Sequence, residues 1–421
     1  MKKTILLSTL ILTLNSSEIT KLLDSIKNTP DTKLDNIMIK NIKTNKKEII
    51  NTLFPKISLF ASAEHFSSPT NIKPIPPTKS AEITKENGGY WFSKNIYKIG
   101  FNISMPIFIK EIYDKKKKME FLTKAIKYQA TLNLLKREAS LITLISNINY
   151  LFKLKKALKL QLDSIQTTYN GIKKGVELGR IPEFKLLRLK DAINNLKIKI
   201  SNINTKIANT KSEIYILTKI LINKPINFTA HKIKNSEFFA LKPLKETLKA
   251  SYYDIKAQKD KKLPKIVLQI KANRSFAKAY NNNDSLALNY ASAGIYINWD
   301  IFDKSNHSQI QKAKINQEKT ALEIQKTLNE LTAQIKSINE NLKEIKKQLL
   351  LAKESISLKE ELLKGAKVAF KLERMTVDDY LNYENELAKA RANYANLIAI
   401  KNSLIAQKAF IYGKNLKKVF K

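Results

Sequence analysis

Gly294-Ile295-Tyr296-Ile297-Asn298-Trp299-Asp300-Ile301-Phe302 places apolar side chains at every second position, and Gly100-Phe101-Asn102-Ile103-Ser104-Met105-Pro106-Ile107-Phe108 does the same 194 positions earlier. A period of two is the mark of a strand with one apolar face. Each segment runs into roughly 70 residues of helical pattern, about 100 Å of helix at 1.5 Å per residue. Each pattern is then interrupted, at Leu178-Gly179-Arg180-Ile181-Pro182 and at Leu372-Glu373-Arg374-Met375-Thr376. Gly179 and Glu373 are again 194 positions apart, so the stretch from strand to interruption has one length in both halves. The chain reads as two copies of one unit.

Working outward, Leu53-Phe54-Pro55-Lys56-Ile57 opens an alternating segment in the first half, and Lys262-Leu263-Pro264-Lys265-Ile266 opens another in the second. The pattern predicts a first repeat over 17–222, with strands near 56–66 and 96–108 and helices near 111–178 and 183–222. A linker follows at 223–241. The second repeat covers 242–413, with strands near 265–276 and 288–302 and helices near 304–372 and 377–413, and a basic tail occupies 414–421. In the second half Leu328, Leu331, Ile335, Ile338, Leu342, Ile345 and Leu349 alternate spacings of three and four, the seam of a coiled coil. Only 9 glycines and 11 prolines interrupt the chain, and no proline lies beyond Pro264. The fold class is therefore mostly α with a small β part.

Four alternating strands with apolar faces cannot close a barrel with a usable bore, and an open sheet edge cannot face lipid. If the strands enter a membrane, three or more chains must pool them; the alternative is a soluble sheet packed on helices. Trp91, Phe92, Tyr97, Tyr290, Tyr296 and Trp299 lie in or beside the strands, where amphipathic rings mark the edges of a lipid-facing band. No run of 18 apolar residues offers a transmembrane helix. Lys2-Lys3, an apolar run from Ile5 to Leu14 and then Asn15-Ser16-Ser17 have the layout of a secretory signal peptide over 1–16, the alternative being a buried N-terminal helix.

The formal charge of +39, from 76 Lys and Arg against 37 Asp and Glu, would suit nucleic acid or an anionic membrane surface. The lysines are spread along the whole chain without base-stacking aromatics among them, so no nucleic-acid partner is expected. Cysteine is absent, which removes disulfides, thiolate chemistry and a lipid-modified N-terminal Cys. His65, His231 and His307 are scattered singly. No metal site, phosphate-cradling loop, nucleophile elbow or cofactor signature occurs, and the chain is not expected to be an enzyme.

With these pieces in place the chain resembles the TolC family of outer-membrane efflux proteins over nearly its whole length. The most specific matches are Gly294 through Asp303, similar to the family's strand-to-helix junction, and Met375-Thr376-Val377-Asp378-Asp379-Tyr380-Leu381, similar to its tip-to-helix stretch. The resemblance implies a homotrimer in the outer membrane, whose twelve pooled strands form a barrel continued by an α-helical barrel in the periplasm. Such a duct passively conducts substrates of a tripartite efflux pump or type I secretion system, with a membrane-fusion adaptor and an inner-membrane transporter as partners. It further implies adaptor docking at the tips, here Leu178, Gly179, Arg180, Leu372, Glu373 and Arg374, with Glu373 adding bulk and charge where the family has glycine. Asp379 matches the family's acidic pore ring; Asn382 stands one turn later, and Asp378 beside it. Read without the family, the tips are plain interhelical turns and Asp379 a solvated acid, and the rival for the whole chain is a basic coiled-coil scaffold binding nucleic acid or an anionic membrane surface.

Overall fold

The computed structural model describes residues 18–421; the expected signal segment 1–16 lies outside them. Short helix α1 (Glu18–Ser25) and α2 (Pro30–Asn51) lead into strand β1 (Lys56–Asn71), helix α3 (Pro77–Lys85) and strand β2 (Phe92–Phe108). Then come α4 (Lys110–Glu177) and α5 (Glu183–Thr218), α6 (Lys242–Asp260), β3 (Lys265–Lys278) and β4 (Ser285–Asn298), α7 (Lys304–Lys371), α8 (Val377–Ile411) and α9 (Leu416–Val419). The two long helices α4 and α7 have 68 residues each, and their first residues lie 194 positions apart. The scarcity of helix breakers is what allows such lengths.

The two repeats do not form two bodies. The chain divides into one compact unit of residues up to 38 with 127–243 and 324–421, and another of 39–126 with 244–323, so each draws on both repeats.

In the first unit, the wide apolar face of α4 is the reason for the core: Leu141, Ile142, Ile145 and Ile148 are fully buried against Ile207 and Ile214 of α5 and Ile19 and Leu23 of α1. The residues expected to be a basic tail instead fold back. Phe420 is fully buried and bridges Ala230, with backbone hydrogen bonds from Thr229 to Lys421 and from His231 to Val419. A tail can be basic and still dock, because its apolar Leu416, Val419 and Phe420 enter the core while the lysines stay outside. On α7, Leu331, Ile335, Ile338 and Ile345 of the expected seam are buried, whereas Leu328 at its start is exposed.

In the second unit the strands form one antiparallel sheet in the order β1-β2-β3-β4. The strands extend past the alternation that predicts them. β1 continues from His65 through Pro69 to Asn71 after a register shift, which an edge strand tolerates, and β2 begins at Phe92. β4, by contrast, ends at Asn298 and not at 302. The stretch between the first two expected strands holds α3, opened by Pro77 at its first position. α6 has no counterpart among the expected elements: its 19 residues lead into β3 as α2 leads into β1. Beside the sheet, Phe121 of α4 stacks on Tyr253 of α6 with ring centres 5.4 Å apart, and Lys118 pairs with Asp254 at 2.8 Å.

Candidate transmembrane band and helical tips

The register sorts the sheet into two chemically different faces. One carries the rows Ile57–Ile103–Ile270–Ala293 and Leu59–Phe101–Ala272–Ala291, with Met105, Leu268 and Ile295 toward one end and Ala63, Tyr97, Phe276 and Ala287 toward the other. These large apolar side chains are not covered: Leu59 is 85% exposed, Ile57 65% and Ile295 66%. The opposite face is more polar, with Ser58–Asn102–Lys271–Ser292, Phe60–Gly100–Asn273–Tyr290 and Ser62–Lys98–Ser275–Leu288 in its middle rows. From Ile266 to Phe276 the apolar face runs about 34 Å along a strand, which at a tilt near 45° is roughly 25 Å of height, the thickness of an outer-membrane barrel's apolar band. It is interrupted near one end by the row Ala61–Ile99–Arg274–Asn289, whose Arg274 guanidinium lies 5.5 Å from the Phe276 ring centre. Among the described residues, no helix is long and apolar enough to cross a membrane.

Of the aromatics expected at the band's edges, Tyr97 lies on the apolar face. Tyr290 and Tyr296 do not: their pairs, Asn273 and Val267, put them on the opposite face, in line with Ser292. The alternation of β4 itself decides this, because Tyr296 lies between Ile295 and Ile297 and Tyr290 precedes Ala291, so both rings are on the side away from the apolar residues. Trp91 precedes β2 and packs under the Lys73 ammonium, 4.6 Å from its ring centre. Trp299 follows β4, and its indole N–H donates to the Lys262 carbonyl at 2.9 Å.

Both tips are closed by the same backbone device. At the end of α4 the Arg180 N–H donates to the Gly175 carbonyl and the Gly179 N–H to Val176; at the end of α7 Arg374 donates to Ala369 and Glu373 to Phe370. This double bond pattern is a Schellman cap, whose turning residue is left-handed. Gly179 has φ +67° and Glu373 has φ +60°, so the acid occupies the glycine's conformation and the turn is kept. Leu178, Leu372, Arg180 and Arg374 are solvent-exposed around these turns.

The candidate constriction residues Asp378, Asp379 and Asn382 are exposed near the start of α8. Thr376 caps this helix: its hydroxyl oxygen accepts the Asp379 N–H at 3.1 Å and donates back to the Asp379 carboxylate at 2.6 Å. Asp378 lies 3.6 Å from Arg188 of α5. Sequence reasoning missed the buried side of the same turn. The fully buried Tyr380 donates to Glu384 at 2.8 Å, Ser164 of α4 donates to the same oxygen at 2.5 Å, and the Thr168 hydroxyl is 3.1 Å from the Tyr380 oxygen. Burial, with the Glu384 carboxylate adding to it, pushes the Tyr380 phenol up to about 12, so it remains a donor. Two polar pairs spaced by four, Ser164 with Thr168 and Tyr380 with Glu384, are the signal that could have found this link. Beside it lies a cavity of about 650 Å³ bordered by Thr167, Gly171, Ile181, Lys185 and Lys371. Among the described residues, no group of three or more His, Cys, Asp or Glu could hold a metal ion.

The comparison that decides the fold is with solved structures. The CmeC outer membrane channel of Campylobacter jejuni superposes with a TM-score of 0.76 at 18% identity, covering 94% of this chain and 85% of that one. The chain has the fold of the TolC-like outer-membrane channels. VceC of Vibrio cholerae gives 0.75 at 12% identity over 94% and 96% of the two chains. The open state of the MtrE outer membrane channel of Neisseria gonorrhoeae gives 0.76 at 13% over 94% and 89%. No protein-family model matches the chain, and no curated protein sequence does. The TolC-like fold is thus carried by pattern and geometry, not by shared residues.

Proposed function

We propose that the chain is one subunit of a homotrimeric outer-membrane exit duct that passively conducts substrates and catalyses no reaction. The observation that carries this reading is the sheet: four strands with an exposed, largely apolar face about as tall as an outer-membrane band, a more polar opposite face, and β1 and β4 left at its two edges. In water that face would be an aggregation site; in lipid it is satisfied, provided the edges pair with other copies. Three chains supply twelve strands, and their polar faces line the bore.

The helices support the same assembly. Besides its buried seam, α7 has a second heptad row, Leu351, Ser355, Leu358, Leu362, Gly365 and Ala369, continued by Leu372 just past its end, in which all four leucines are exposed. A row with coiled-coil spacing whose leucines are left exposed suits a neighbouring copy. In the trimer the tips at Leu178–Arg180 and Leu372–Arg374 dock a periplasmic adaptor, an inner-membrane transporter supplies the energy, and Asp379, Asp378 and Asn382 narrow the periplasmic mouth. Three copies of Asp378 and Asp379 around one axis would attract cations. The likeness to the CmeC and MtrE outer membrane channels favours this reading over a basic coiled-coil scaffold, which would leave the apolar band in water.

The test is the mass of the detergent-solubilised protein taken from purified outer membranes. A trimer is expected, forming cation-selective channels in planar bilayers, and Leu358→Glu with Leu362→Glu should reduce its mass to that of one chain while helix content is kept. A monomer from the soluble fraction would overturn the reading.

A further inference from the structure

Lys408, on α8, is buried, and its ammonium has no anion. Its Nζ donates to the Asn339 side-chain oxygen at 2.7 Å and lies 6.0 Å from the Tyr412 ring centre. Among the described residues no carboxylate pairs with it, and burial alone pushes its pKa below the ordinary lysine value. A buried cation is normally paired, because desolvation without a counter-charge is costly. Lys408 forms one wall of a cavity of about 440 Å³ between α7, α8 and the segment at 230–233. The lining is mostly apolar, with Ile233, Leu342 and Ile405, and the other cations on it are Lys232, Lys346 and Lys401. None of these three lysines is in an ion pair among the described residues, and no acidic residue lines the cavity.

Apolar walls with four unpaired ammonium groups are complementary to one kind of small molecule. We propose that this cavity binds a free long-chain alkyl carboxylate, a fatty-acid-type monoanion, with the chain along Ile233, Leu342 and Ile405 and the carboxylate on Lys408 and Lys401. The volume is in the range of small-ligand sites and has room for a single alkyl chain. A diacyl lipid, with two chains, is too large. The carboxylate supplies the counter-charge that Lys408 lacks, in a setting where a charge-assisted hydrogen bond is strong. This inference is independent of the duct reading, since the cavity is complete within one chain.

The experiment uses the full-length protein in an uncharged detergent, with 11-(dansylamino)undecanoic acid as the fluorescent probe. Saturable binding of one probe per chain is expected, displaced by palmitate but not by hexadecanol. Lys408→Met should weaken the probe at least tenfold and Lys401→Gln at least threefold. Without probe, Lys408→Met should melt higher than the wild type, because it removes a buried unpaired charge; a merely structural lysine would melt lower when replaced. Binding that does not saturate, equal displacement by hexadecanol, affinity unchanged in Lys408→Met, or displacement by phosphatidylglycerol or an acidic peptide in place of palmitate would each overturn the proposal.

Discussion

Gly179, Lys219, Glu373 and Gly413 all end helices in the left-handed region, and they form two pairs each 194 positions apart. Each repeat therefore has one glycine and one charged residue at equivalent turns, at opposite ends of its second hairpin helix. Gly413 is required by space as well as by φ, since a Cβ there would meet the Phe239 ring at 2.4 Å. At Gly179 a Cβ would meet nothing within 4 Å, so only backbone conformation favours glycine at the tip. Left-handed backbone costs a non-glycine residue about 1 kcal/mol. Glu373→Gly should accordingly stabilise the protein by about that amount, and Gly179→Ala should destabilise it similarly, as read by urea unfolding. A Glu373→Gly protein no more stable than the wild type would show that the acid is not held left-handed.

At the level of elements, the helices and the strand alternation were legible because periods of two and three-to-four survive in single residues. Register was not legible, since it depends on which residues pair across strands, so the rows of the sheet could not be assembled. Tyr290 and Tyr296 were grouped with the band's aromatics by their nearness to the strands, although their parity in β4 puts them on the other face. α6 was missed although Leu244, Leu248 and Ile255 keep helical spacings of four and seven, and the docking of Phe420 because its partner segment at 228–231 carries no period. The Tyr380–Glu384 link was missed for a related reason: each residue alone is an ordinary helical polar residue, and only the packing of α4 on α8 makes them a buried pair. The sheet's two faces yield a paired prediction. Leu59→Lys sets a charge in the middle of the apolar rows proposed to face lipid, where it would cost about 2–4 kcal/mol, whereas Ser58→Lys adds the same charge to the more polar face at little cost. Outer-membrane yield and heat-resistant oligomer on a gel should fall for the first variant and be unchanged for the second. Equal losses would mean that the two faces do not have the environments assigned to them.

For the molecule as a whole, net charge and buried acids make opposite demands on pH. Lowering pH protonates carboxylates and raises a formal charge that is already +39, which strains the folded state. Glu138 works the other way. It is only 5% exposed, and burial raises its pKa from 4.5 to about 7 in spite of Lys417 and Lys27 nearby. In the folded protein it holds a proton that the unfolded chain has released above pH 4.5. Its favourable contribution is thus complete below pH 4.5 and is lost as pH rises to about 7, the loss being at most about 3 kcal/mol. Asp260, raised to about 6 by burial and by the Asp114 carboxyl beside it, acts in the same direction over a slightly lower window. Because the repulsion of the whole molecule is common to wild type and variant, their difference isolates the buried acid. Glu138→Gln should match the wild type in melting temperature near pH 4.5 and exceed it increasingly up to about pH 7.5, with no further change above. A difference that is flat across this range would mean that Glu138 is solvated in the folded protein, and that the core around Ile142 and Ile145 is open to water at that point.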